Sequence, residues 1–230
     1  MIGVFDYTVI LTYLSLLSAC CGIFASLSGS GHPYWGMLCL LACGLCDAFD
    51  GMVARRKKNR TEQEQKFGIQ IDSLSDLVAF GVLPACIGAA LIRVSPLMQS
   101  FMTGWPRFGK SLLVFGVHAI LALYVLAALI RLAYFNVTEE ERQSAESGKR
   151  KYYVGLPVTS ASLIVPTVLL LDYAIPVDLT PCYFLTLLVT GLCFLLRFQI
   201  KKPGLRGILC MIAVGLAEAL LFLFSLWFLR

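Results

Sequence analysis

Seven stretches of roughly 20 mostly apolar residues follow one another along this 230-residue chain, each long enough to cross the hydrocarbon core of a bilayer as a helix. Inside a bilayer every backbone N–H and C=O must find its partner within the segment, so such runs fold as helices. They fall at 6–28, 34–56, 68–92, 111–135, 154–173, 180–198 and 205–229. The pattern predicts an all-α polytopic membrane bundle of about seven spans, read as one integral-membrane domain over residues 1–230. Only 14% of the residues are charged, against about 25% in soluble domains. That excludes a water-soluble fold, a disordered chain and a nucleic-acid binder. The first run has no basic stretch before it and no small-residue cleavage site after it, so it reads as a retained span rather than a signal peptide.

The few charges orient the spans. Of 19 Lys and Arg residues, three clusters alternate with poorly charged connections. The first is Arg55, Arg56, Lys57, Lys58, Arg60 and Lys66. The second is Arg131, Arg142, Lys149, Arg150 and Lys151, and the third Arg197, Lys201, Lys202 and Arg206. Only Arg93, Arg107, Lys110 and Arg230 fall on the other side. The positive-inside rule places the clusters in the cytoplasm, with the N-terminus inside and the C-terminus outside. Trp35, Trp105 and Trp227 then lie near the outer interface, as an aromatic belt requires. The net charge of +5 implies no more than adhesion to anionic lipid headgroups.

Four of the 14 acidic residues lie inside two successive spans: Asp47, Asp50, Asp72 and Asp76. An Asp at a span centre costs about 2.5–3.5 kcal/mol, less near an end, so a quartet demands compensation. Asp47 and Asp50 are i, i+3 and Asp72 and Asp76 are i, i+4, so each pair shares a helix face. In two antiparallel neighbours at 1.5 Å per residue, the four carboxylates reach matching depths near the inner boundary. Hard divalent cations take oxygen ligands, and two-metal clamps serve phosphoryl displacement. Spacing alone leaves two other readings open: Asp residues paired with Arg or backbone groups for packing, and an ion or proton pathway in a transport protein.

The neighbouring residues discriminate. The chain reads Asp47-Ala-Phe-Asp50-Gly51-Met-Val-Ala54-Arg55, then 56–67, then Gly68-Ile-Gln-Ile-Asp72-Ser-Leu-Ser-Asp76. This resembles the D-x-x-D-G-x-x-A-R, spacer, G-x-x-x-D-x-x-x-D signature of the CDP-alcohol phosphotransferases, with every fixed position filled. Gly51, Ala54 and Gly68 lack bulk, so a nucleotide can come close to the backbone, and Arg55 can fork two donors onto a phosphate. A third helix starting near Gly68 would also aim its positive end at an anionic pyrophosphate. The resemblance implies a six-helix catalytic core plus a C-terminal helix. It implies two divalent ions, Mg²⁺ or Mn²⁺, on Asp47, Asp50, Asp72 and Asp76, and Asp76 as general base. Gly51, Ala54, Arg55 and Gly68 would hold the CDP-lipid, and the chain would be a homodimer with its site on the cytoplasmic side. The spacer is longer than the family's commoner pattern. Gln65 stands where the family often has Ser or Thr near the cytidine, with Thr61 four residues earlier.

The stretch Asp72-Ser-Leu-Ser-Asp76-Leu-Val-Ala-Phe-Gly81-Val-Leu-Pro84-Ala85 is similar to the family's bacterial and archaeal serine-using branch, as are Arg131-Leu-Ala-Tyr-Phe-Asn136 and Gly155-Leu-Pro157. That branch implies CDP-diacylglycerol as donor, L-serine as acceptor, and phosphatidylserine and CMP as products. Glycerol 3-phosphate or inositol phosphate is the alternative acceptor. An intramembrane Arg131 faces an anion, either a substrate phosphate, the serine carboxylate or one of the Asp residues. Asn136, Gly155 and Pro157 either shape the acceptor pocket or are a helix cap and a helix start.

Other chemistry-bearing residues read as packing. The nine cysteines sit in or at the ends of apolar runs, as small core- or lipid-facing groups. Cys43, one turn above Asp47, is placed to line an acyl-chain groove. His118 and Glu218 read as hydrogen-bonding groups between helices, and Lys149, Arg150 and Lys151 as headgroup contacts.

Overall fold

A computed structural model of the chain describes residues 3, 5–29, 32–54, 57, 61–145, 152–201 and 204–228; the side chains of 51, 52, 54, 143–145, 205 and 226–228 lie outside that description. In chain order these residues form α1 (Ile10–Leu27), α2 (Pro33–Ala54), α3 (Glu62–Asp76), a π turn (Leu77–Val82) and α4 (Leu83–Val94). Then come α5 (Pro96–Gly104), α6 (Arg107–Ala145), β1 (Tyr152–Val154), a 3₁₀ turn (Val158–Ser160), α7 (Ala161–Ala174), α8 (Thr180–Leu195), β2 (Gln199–Lys201) and α9 (Leu205–Phe228). Each apolar run has its helix, and the architecture is all-α. Ile10–Leu27, Glu62–Val94, Arg107–Arg142 and Arg206–Ser225 are long and apolar enough to cross a membrane, while Val158–Ala174 and Thr180–Leu195 are shorter apolar helices. Phe108, Leu112 and Phe115 on α6 and Leu220, Leu221 and Phe224 on α9 face outward, as lipid-facing side chains do. The chain is an integral membrane protein.

Helix ends depart from the hydropathy reading wherever polar residues continue or begin a helix. α3 starts at Glu62, six residues before Gly68, because Thr61 caps it. The Thr61 hydroxyl accepts from Glu64 N and the Glu64 carboxylate accepts from Thr61 N, a capping box that closes two orphan donors. Part of the long spacer is therefore helix, and Gly68 lies about 9 Å inside it rather than at its start. The positive end of α3 meets Glu62 and Glu64, not the acid site. α6 runs ten residues past the expected end at 135, with a Glu139–Arg142 ion pair at 2.6 Å on the extension. Ser95, accepting from Met98 N, and Pro96 at the first helical position start α5, which hydropathy did not reveal.

The remaining surprise is a two-stranded antiparallel ribbon, with Tyr152 opposite Lys201, Tyr153 opposite Ile200 and Val154 opposite Gln199. It occupies the start of the helix expected at 154. Gly155 turns the chain with φ +74°, and a Cβ there would lie 2.9 Å from the Leu196 carbonyl oxygen, so no side chain fits. Its N–H donates to Phe198 O (2.6 Å) and that of Leu156 to Cys193 O (3.1 Å). Such a short ribbon is marginal alone; here it clasps the α6–α7 connection to the α8–α9 connection.

Packing fixes α2 and α4. α1 lies along α2 so closely that a Cβ on Gly22 would stand 2.7 Å from that of Cys39. α4 packs on α1, α2, α6 and α8 through Leu83, Ile87 and Leu91, and α6 packs on α8. Cys43 is fully buried and donates to Ser15 O on α1, so it faces away from any groove on the far side of α2. His118 bonds Val114 O within its own helix at 2.7 Å rather than a neighbour. Glu218 does join two helices, accepting from Thr167 of α7.

Candidate active site

α2 and α3 bring their acid faces together. Asp47, Asp50 and Asp72 each offer a carboxylate oxygen, and these atoms lie within 4.8 Å of one another, all three groups half-buried. Asp50 of α2 and Asp72 of α3 face each other across the two helices. Asp76, one turn deeper on α3, is 8% exposed and stands outside that trio, with Asp47, Asp72 and Asp50 as its charged neighbours. The quartet thus resolves into three clustered oxygens and one buried carboxylate beside them. Two carboxylates this close repel by roughly 3–4 kcal/mol per charged pair at an effective dielectric of about 20. A divalent cation among them reverses the sign of that term, and an all-oxygen set of this spacing suits a hard ion. The residues therefore fit a divalent metal.

Gly68 lies on α3, one turn before Asp72. Gly51 and Ala54 lie in the last turn of α2, with only their backbone described, and Arg55 falls outside the described residues. Lys149, Arg150 and Lys151 also fall outside them. Thr61 is engaged in the helix cap, at the far end of α3 from Asp72, which leaves exposed Gln65 as the polar side chain nearer Gly68.

The second group of expected residues is gathered by the clasp. Arg131 on α6 is 5% exposed; its Nε donates to Leu156 O (3.2 Å) and its guanidinium carbon stands 5.6 Å from the centre of the Phe135 ring. Arg131 thus braces the turn that Gly155 makes, and Pro157 ends that turn as the residue before the 3₁₀ helix. Asn136 is inside α6, so it is no helix cap. Its Nδ2 donates to Ser73 Oγ (2.8 Å), beside Asp72, and ties α6 to α3.

One element had no sequence signal. A cavity of about 450 Å³ opens between α2, α7 and α9. Asp47, Ala48, Tyr153, Pro157 and Thr159 line one end; Leu38, Leu41, Leu163, Met211, Leu216 and Ala219 line the rest. From Ile208 to Ala219 its α9 wall is about 16 Å long. No motif marks these positions because any apolar residue of suitable size serves there.

The sequence model described as CDP-alcohol phosphatidyltransferase matches residues 7–215. The chain is 33% identical over 162 residues to a Saccharomyces cerevisiae CDP-diacylglycerol–serine O-phosphatidyltransferase, covering 66% of this chain and 50% of the relative. A Helicobacter pylori protein of the same name is 35% identical over 133 residues, covering 58% and 45%. An archaetidylserine synthase of Methanothermobacter thermautotrophicus is 31% identical over 163 residues, covering 66% and 54%. The chain therefore spans about half the length of these curated relatives. With the match running over nearly the whole chain and the acid faces of α2 and α3 converging as the motif requires, this chain belongs to the CDP-alcohol phosphatidyltransferase family.

Proposed function

We propose that this chain transfers the phosphatidyl group of CDP-diacylglycerol to the hydroxyl of L-serine, giving phosphatidylserine and CMP. The observation that carries this reading is the convergence of Asp47, Asp50 and Asp72 beside buried Asp76. Serine recurs in the names of the yeast, Helicobacter and archaeal relatives, which supports it as acceptor over glycerol 3-phosphate or inositol phosphate.

Asp47, Asp50, Asp72 and Asp76 would hold two divalent ions, Mg²⁺ or Mn²⁺, which when bound supply positive charge against the pyrophosphate and the departing CMP. Asp76 takes the proton of the serine hydroxyl as that oxygen bonds to the lipid-linked phosphorus and the bond from phosphorus to CMP breaks. Gly51, Ala54, Arg55 and Gly68 accommodate the CDP moiety. Arg131 is a buried cation near this depth and takes the serine carboxylate or the donor phosphate, within a pocket shaped by Asn136, Gly155 and Pro157. The cavity beside Asp47 takes an acyl chain of the donor: its lining is mostly apolar, and Asp47 of the acid cluster borders it. The same reading makes residues 1–230 one catalytic domain, with the site on the cytoplasmic side, the N-terminus inside, the C-terminus outside and a homodimer as the assembly.

The test is CMP release from CDP-diacylglycerol by the detergent-purified chain, with each acceptor supplied in turn. Turnover is expected with L-serine, and only with Mg²⁺ or Mn²⁺ present. Turnover with glycerol 3-phosphate and none with serine overturns the acceptor; turnover in excess chelator overturns the metal assignment.

A further inference from the structure

α3, the π turn and α4 form one uninterrupted helix from Glu62 to Val94. The π turn is visible in its hydrogen bonding: Leu83 N–H donates to Val78 O, five residues back instead of four. Pro84 explains why the ladder is disturbed here. It has no N–H, so the Phe80 carbonyl loses the donor an α-helix would give it. Tyr124 of α6, 1% exposed, supplies the missing donor, its hydroxyl reaching Phe80 O at 2.7 Å. Tyr183 of α8, equally buried, donates to Pro84 O at 2.7 Å. Two hydroxyls from two other helices thus grip the main chain where the ladder changes pitch.

This grip lies one turn beyond Asp76. A π turn accommodates an extra residue, so it rotates the helix before it against the helix after it by about 100°, one residue's share of an α-helical turn. α4 is locked into the core by Leu83, Ile87 and Leu91, so its azimuth is fixed. Continued downward as a regular α-helix, it would swing Asp72 and Asp76 about 100° round the axis. They would then leave the face on which Asp47 and Asp50 wait. We propose that the π turn Leu77–Val82 aims Asp72 and Asp76 at α2, and that Tyr124 is the positioning residue that holds the turn. The inference rests on the proposed role of the acid cluster, and adds to it a residue that touches neither substrate nor metal.

The test uses the full chain in detergent, with Tyr124→Phe and the double variant Tyr124→Phe/Pro84→Ala. Three quantities are read: Mn²⁺ binding by electron paramagnetic resonance, kcat and KM for CMP release, and the unfolding temperature. Tyr124→Phe is expected to weaken Mn²⁺ binding and lower kcat by about tenfold or more, as loss of a supporting bond behind metal ligands does. The KM for serine should change little. In the double variant, the Pro84→Ala change gives the Phe80 carbonyl an α-helical N–H in place of the lost hydroxyl. The unfolding temperature is expected to recover while Mn²⁺ affinity and kcat stay low, because the carbonyl is satisfied but the acids are mis-aimed. Wild-type Mn²⁺ affinity and kcat in Tyr124→Phe overturn the proposal. So does recovery of all three quantities in the double variant, which would make Tyr124 a carbonyl's partner and nothing more. If Tyr124→Phe does not fold, the double variant carries the same test alone. An active wild-type chain that binds no Mn²⁺ overturns the metal reading instead, and the kcat comparison then decides the positioning role.

Discussion

α2 has carboxylates near both of its ends, and they are treated in opposite ways. At its first turn, Tyr34 donates to Asp172 Oδ2 (3.0 Å), whose other oxygen accepts from Leu179 N (2.6 Å). Close by, Asp178 accepts from Ser95 Oγ (2.5 Å), Leu97 N (2.9 Å) and Thr180 N (3.0 Å). These two acids are ringed by donors and staple α2, α5, α7 and α8 together. Asp47 lies thirteen residues further on, about 20 Å away along the helix, and its neighbours are other carboxylates. A carboxylate among donors lowers the energy of the fold. A cluster of carboxylates raises it until a cation arrives, so its presence has to be explained by chemistry rather than by architecture.

Removing one acid from each end separates the two roles, and the largest effect is expected at the clustered end. Asp76→Asn should lower kcat for CMP release by roughly 10²–10⁴-fold, the range for loss of a general base. Size-exclusion elution and unfolding temperature should be unchanged or improved, since a repulsive charge has gone. Equal losses of folded protein and of activity would place Asp76 with the staples.

A divalent cation should discriminate between the ends without any catalysis being measured. Saturating Mn²⁺, at about 100 times its dissociation constant, is expected to stabilise the wild-type chain by about 2.7 kcal/mol. The gain should read as a rise in unfolding temperature, reversed by chelator. Asp72→Asn should abolish most of that rise, and Asp178→Asn should leave it intact. A rise that survives Asp72→Asn would move the cation to another part of the molecule.

The same contrast explains what the sequence made legible. The acid site was readable because Asp residues in an apolar run are costly, and their i, i+3 and i, i+4 spacing with Gly51, Arg55 and Gly68 leaves little freedom. The seven helices were readable because a bilayer accepts few other structures. The clasp was not, since Tyr152–Val154 and Gln199–Lys201 are too short to show a period and their paired residues stand 45 to 49 positions apart. Nor was the π turn. Pro84 announced a disturbed ladder, but the donor that resolves it, Tyr124, is 40 residues away and looks in sequence like any aromatic in a span. The earlier start of α3 is legible in principle: Thr61-x-x-Glu64 has the pattern of a capping box, which hydropathy does not register because its residues are polar. Asp172 and Asp178 carry no signal in the sequence, because isolated acids at helix ends are common and only their donors distinguish them.

At the stapled end the expected effects are smaller and fall on stability. Asp178→Ala leaves Ser95, Leu97 and Thr180 without their shared acceptor, at a cost of about 1–3 kcal/mol, seen as a lower unfolding temperature with kcat per folded molecule unchanged.

The smallest effect is the pH dependence of that staple. Burial alone would raise the Asp178 pKa, but the bonds from Ser95, Thr180 and Leu97 outweigh it and hold the carboxyl below its ordinary value of 3.8. A carboxyl whose pKa is lower folded than unfolded binds fewer protons in the folded chain. Its contribution is therefore complete above the unfolded value and is lost as pH falls through the folded one. The unfolding temperature of the detergent-solubilised chain should stay level with respect to this group down to about pH 4 and fall below it. Asp178→Asn, which cannot titrate, should fall less steeply over the same interval while starting lower. Asp6, also held low by its bond to Lys57, contributes in the same direction and remains in both proteins, so the difference between the two slopes isolates Asp178. Identical slopes would mean that the three donors hold Asp178 no more tightly than water does. The opposition between stapling and clustered carboxylates would then rest on Asp172 alone.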